Sequence, residues 1–133
     1  MTLNVLIYLQ VPSPEGRELA TLAKSSLAGS RVMVFSDLEE FIGWIPAPKQ
    51  TTTVAIIWNP TPEDLKRIQL IRDLLAGIRL VLVLADDKPE TIAMAHKVMP
   101  AFVAYTDDGL SEIVSVLERL AGTAEIPAPE SRL

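Results

Sequence analysis

The sequence predicts an α/β protein: a (βα)5 chain folded as a doubly wound parallel sheet of five strands, in three layers with helices on both faces. Two observations predict it. Five short runs of consecutive apolar residues recur along the chain, each followed by a stretch with apolar residues at helical spacing. The runs also lack polar alternation, so each strand needs cover on both faces, and helices alternating with parallel strands supply it.

Val5 to Leu9 is the first run, ended by Pro12. The helix after it carries Leu19, Leu22, Ala23 and Leu27 on one side as far as Gly29, with Ser13 as its cap and Pro14 at the first helical position, where a missing N–H costs nothing. Val32 to Phe35 is the second strand. Ser36 and Glu39 have capping-box spacing and open a helix that buries Leu38, Phe41, Ile42 and Ile45 before Pro46 and Pro48 stop it. Val54 to Ile57 is the third strand. Its helix starts at Thr61-Pro62 and places Leu65, Ile68, Ile71, Leu74 and Leu75 on one side up to Gly77. Leu80 to Leu84 is the fourth strand, and Asp86-Asp87-Lys88-Pro89 opens a short helix through Val98. Ala101 to Ala104 is the fifth strand. The last helix carries Leu110, Ile113, Val114, Leu117 and Leu120, with Gly122 as its terminator. Residues 1–121 are therefore expected to form one domain, and residues 122–133, with Pro127 and Pro129, a flexible tail or linker.

At 133 residues the chain fits a single core, and its 49% hydrophobic content separates it from disordered sequences. The net charge is −5 and the basic residues are scattered, so no stripe exists to neutralise phosphates and nucleic acid is not an expected partner. Cysteine is absent, which removes disulfides and thiolate chemistry and fits a reducing compartment. The apolar runs are too short to span a bilayer and the first lacks the flanks of a signal peptide, so no membrane partner and a cytoplasmic location are expected.

With an Asn-Pro-Thr-Pro loop before its third helix and Met99-Pro100-Ala101-Phe102 before its fifth strand, the chain resembles the receiver domain of bacterial response regulators, a flavodoxin-like fold. The similarity runs to about Ala121 and rests on element order more than on motif identity. It implies strand order 2-1-3-4-5. It also implies an acidic pair after strand one, a phosphoacceptor Asp after strand three, a Thr or Ser after strand four and a Lys after strand five, which together bind Mg²⁺ and the phosphoryl group. At those positions this sequence has Gln10 and Val11, Trp58 or Asn59, Ala85, and Tyr105. It looks like a degenerate pseudo-receiver, with neither nucleophile nor metal ligands for aspartyl phosphorylation.

Other candidates have plainer explanations beside the functional ones. Trp58 and Tyr105 would stack a planar ligand or anchor a partner, or simply fill the space of the lost pocket. Asp86-Asp87 and Asp107-Asp108 follow neighbouring strands, yet capping and the helix dipole account for all four without a metal. The loop from Pro12 to Arg17 resembles a phosphate-binding turn, but its two prolines remove donors and Glu15 repels an anion. His96 is expected to be a half-buried packing residue, and Tyr8 plain core.

The expected function is a phosphorylation-independent signalling module that binds a protein partner or a second copy of itself, with no catalysis, cofactor or metal. The resemblance to receivers implies a contact face made by the fourth helix, fifth strand and fifth helix, a region that here includes Met94, Val98, Met99 and Tyr105. One alternative is a flavodoxin-like domain that binds a flavin or other ligand with Trp58 and Tyr105. Another is a working receiver using Asp86 or Asp107 as a displaced acceptor.

Overall fold

The computed structural model describes residues 4–9, 13–26, 31–44, 53–75 and 77–125. Among them the chain runs β1 (Asn4–Leu9), α1 (Pro14–Ser26), β2 (Arg31–Phe35), α2 (Leu38–Trp44), β3 (Thr53–Trp58), α3 (Pro62–Leu70), β4 (Ile78–Leu84), α4 (Pro89–Lys97), β5 (Phe102–Tyr105) and α5 (Leu110–Glu125). The strands form one sheet in the order β2-β1-β3-β4-β5, all neighbours parallel. This is the predicted architecture and strand order. Gln10, Val11 and Pro12, the stretch from Leu27 to Ser30, Ile45 with Pro46 and Pro48, and the tail beyond Glu125 lie outside the described residues.

Every residue of β1 and β3 is buried, because alternate side chains feed two separate cores. Val5, Ile7, Leu9, Val54, Ile56, Trp58, Val81 and Val83 pack under α1 and α5, against Leu19, Ala23, Ile113 and Leu117. Leu6, Tyr8, Ala55, Ile57, Leu80, Leu82 and Leu84 pack under α2, α3 and α4, against Phe41, Leu65, Ile68, Ala95 and Val98. Phe41 is the aromatic hinge of the second core, with Tyr8 and Phe35 at ring-centroid distances of 6.1 and 5.8 Å. Each fully buried aliphatic side chain stabilises the fold by roughly 1.5–3 kcal/mol, so the central strands dominate the energetics.

Several boundaries follow the expected chemistry. Ser13 Oγ accepts the Gly16 amide at 3.1 Å and Pro14 is the first residue of α1. Thr61 caps α3 through a full capping box with Asp64. Gly77 takes a φ of 86° on entry to β4, a conformation open to glycine at no steric cost.

Other boundaries differ from expectation. The cap of α2 is Asp37, whose Oδ1 accepts the Glu39 amide at 2.9 Å, so the box proposed for Ser36 is not formed. The helix after β3 does not continue to Gly77: it tightens at Ile71 and runs as a 3₁₀ turn through Arg72–Leu75, which leaves Leu74 half exposed. β5 is displaced by one residue from its expected range. α5 continues through Gly122 to Glu125, since one glycine costs a helix only about 1 kcal/mol. His96 is exposed, because Ala95 and Val98 take the inward face of α4.

Ile56→Ala at the centre of β3 is expected to cost about 2–5 kcal/mol in chemical denaturation, through lost burial and the cavity left behind. Leu70→Ala, at a position 85% exposed, should stay within about 0.5 kcal/mol of the parent.

Candidate functional site

In a parallel sheet every helix starts at the carboxyl ends of the strands, and ligand crevices of open α/β sheets lie there. This crown is also acidic, because first-turn carboxylates complement the positive helix termini: Glu15 in α1, Glu39 and Glu40 in α2, Glu63 and Asp64 in α3, Glu90 in α4 and Glu112 in α5. Among the described residues, hollows open on it at three places. One of about 600 Å³ lies between the loops after β4 and β5, lined by Ala85, Ile92, Tyr105 and four aspartates. A groove of about 300 Å³ runs between the starts of α3 and α4. A third, of about 430 Å³, lies over Trp58 beside Ser13 and Thr61. Asp86 lines all three.

Trp58 closes β3 and is buried in the core beneath α1 and α5, 6% exposed. Asn59 follows with a φ of 48°, a left-handed turn that asparagine tolerates, and its amide donates to the Val83 carbonyl at 2.7 Å. Ala85 is exposed just after β4, and Tyr105 ends β5 half-buried. Gln10 and Val11 are outside the described residues.

The structure does not bring Trp58 and Tyr105 together. Trp58 pairs with Val83 and Val83 with Ala104, so Tyr105 is one residue further along and its ring packs against the opposite core. The two rings lie on opposite faces of the sheet, and one planar ligand cannot stack between them. The contact face drawn through Met94, Val98, Met99 and Tyr105 is likewise divided. Val98 is 0% exposed and belongs to the core, and Met94 lines the groove toward α3. Met99, 68% exposed, lies beyond the far end of α4 from the crown that holds Tyr105.

Two of the four aspartates after β4 and β5 accept backbone amides. Asp86 Oδ1 accepts the Lys88 amide at 3.0 Å, and with the Thr91 hydroxyl that bond holds its carboxyl below the usual carboxylate range. Asp108 Oδ2 accepts the Tyr105 amide at 2.8 Å. Among the described residues no group of three Asp, Glu, His or Cys side chains is arranged to hold a metal ion. At the start of α1 the Gly16 amide is taken by Ser13 Oγ.

One polar feature went unrecognised in the sequence. The Tyr8 hydroxyl donates to Asp64 Oδ1 at 3.4 Å in the interior, while Asp64 Oδ2 accepts the Thr61 amide at 3.1 Å and Thr61 Oγ1 accepts the Asp64 amide at 3.0 Å. Tyr8 is core, as expected, but it also ties β1 to the start of α3. Burial, followed by the Asp64 charge and the hydrogen bond to it, pushes its phenol up to about 12. A capping-box spacing was legible at Thr61 and Asp64, and a tyrosine in an otherwise apolar strand signals a hydroxyl in need of a partner. At the rim, Arg67 pairs with Glu39 and joins α3 to α2.

No protein-family model matches the sequence, and no curated protein does. Solved structures do match in fold. A pilus assembly-related protein from Burkholderia pseudomallei is 17% identical with a TM-score of 0.69, covering 95% of this chain and 94% of its own. An orphan response regulator from H. pylori is 14% identical with a TM-score of 0.70, covering 88% and 94%. The pilus assembly protein CpaE from Caulobacter crescentus is 16% identical with a TM-score of 0.58, covering 88% and 98%. The chain has the receiver, flavodoxin-like fold. Among the described residues no helix is long and apolar enough to cross a membrane.

With Tyr105→Phe removing the other tyrosine, alkaline titration of the phenol absorbance should give a Tyr8 midpoint near 12 instead of 10.0. Because the folded value is the higher one, the unfolded chain loses this proton first. Stability from the neutral phenol is therefore complete below pH 10.0 and falls as pH rises toward 12. Tyr8→Phe should abolish that part of the pH dependence.

Proposed function

We propose that this chain is a receiver-like regulatory domain that works without phosphorylation and without catalysis, by contact with another protein. The observation that carries the proposal is the chemistry of the crown. At the strand ends stand a buried tryptophan, an asparagine in a left-handed turn, an alanine and a tyrosine, and two of the four aspartates nearby, Asp86 and Asp108, accept backbone amides. A phosphoacceptor needs a free carboxylate beside a metal, and the described residues offer no such cluster. An orphan response regulator and pilus assembly proteins share the fold, which supports a regulatory domain read by contact. A flavin-binding role has no support, since Trp58 and Tyr105 face apart.

Incubation with acetyl phosphate and Mg²⁺ followed by mass spectrometry should leave the mass unchanged. Addition of a single phosphoryl group, mapped to Asp86 or Asp107, would contradict the proposal. Sedimentation velocity over a range of concentrations tests the version in which the partner is a second copy: a rising sedimentation coefficient supports it, and a monomer at high concentration counts against it.

A further inference from the structure

We infer that the groove between α3 and α4 at the crown is a docking site for a protein segment that carries an apolar side chain beside an arginine or lysine. It rests on the contact-driven reading above and names the chemistry of the partner. The groove's floor is apolar: Leu65 from α3, Leu84 at the end of β4 and Met94 from α4. Its α3 wall holds Pro60 and Pro62, whose fixed φ keeps that side formed before anything binds. A volume of about 300 Å³ is at the low end for small-molecule sites and suits an anchoring side chain instead. Thioether flexibility at Met94 lets the floor adjust to anchors of different shape.

The occupant's charge follows from the mouth. Asp86 and Glu90 line it against the single cation Lys88, and exposed Asp87 adjoins it. Asp86 is anionic at neutral pH, held so by the Lys88 amide and the Thr91 hydroxyl, and its position on all three hollows extends the negative field across the crown. An acidic segment would be repelled here, as it would by the chain's net charge of −5. A cationic side chain next to an apolar anchor satisfies both parts of the groove: the anchor covers Leu65, Leu84 and Met94 while the cation meets Asp86 or Glu90.

The probes are three blocked tripeptides, Arg-Leu-Arg, Arg-Ser-Arg and Glu-Leu-Glu, titrated into the full ¹⁵N-labelled chain at low and high salt. Arg-Leu-Arg should move the amides of Ala85, Thr91 and Met94 saturably, binding about tenfold more tightly than Arg-Ser-Arg, the difference that one seated anchor makes at 1.4 kcal/mol per decade. Glu-Leu-Glu should not bind, and added salt should weaken Arg-Leu-Arg. Asp86→Asn keeps a capping residue and should weaken Arg-Leu-Arg severalfold, Met94→Asp should abolish the preference for leucine, and Asp107→Asn in the neighbouring hollow should change little. Equal binding of the leucine and serine peptides, saturation mapped elsewhere on the surface, or no saturable shift with Arg-Leu-Arg would overturn the inference. An aspartyl phosphate found by mass spectrometry would overturn the phosphorylation-independent reading while leaving the peptide result to stand or fall alone.

Discussion

Burial of both faces of the central strands is the constraint on which everything else in this molecule depends. A parallel strand has no solvent side, so β1 and β3 must be apolar at consecutive positions, and helices must cover two cores at once. The cores in turn fix where the helices begin. Each starts above a strand end, and each brings an acidic first turn to its positive terminus, so the crown gains its carboxylates as a consequence of the fold.

This origin bears directly on what those carboxylates do. In a working receiver the acidic groups at the strand ends would be free to hold a cation and accept a phosphoryl group. Here Asp86 and Asp108 accept backbone amides, and Asp64 is enclosed by Thr61 and Tyr8. At the strand exits Trp58 fills the core below while Asn59 turns the chain toward α3. Between the strand exits the crown presents hollows of about 300 to 600 Å³, the smallest floored by Leu65, Leu84 and Met94 and bordered by Asp86 and Glu90.

Much of this was legible in the sequence, and the failures have identifiable causes. The order of strands and helices follows from apolar runs and helical spacing, and caps such as Ser13 and Thr61 follow from side chains that can accept an amide. Ser36 and Asp37 are adjacent capping residues, and only the backbone decides which one serves α2. Trp58 and Tyr105 both end strands, but which face each ring takes depends on register through Val83 and Ala104, a long-range quantity that neither strand encodes alone. The same holds for Val98 and Met99, neighbours in sequence of which one is core and the other surface. The Tyr8–Asp64 bond joins residues 56 apart and needed the topology to be seen.

The central claim is that the crown has no phosphoryl-accepting centre. It is tested most directly by adding beryllofluoride and Mg²⁺, which together mimic an aspartyl phosphate, to the ¹⁵N-labelled chain. The account predicts that the amides of Asn59, Ala85 and Thr106 stay where they are in the free protein. A saturable, Mg²⁺-dependent shift of those resonances would contradict it.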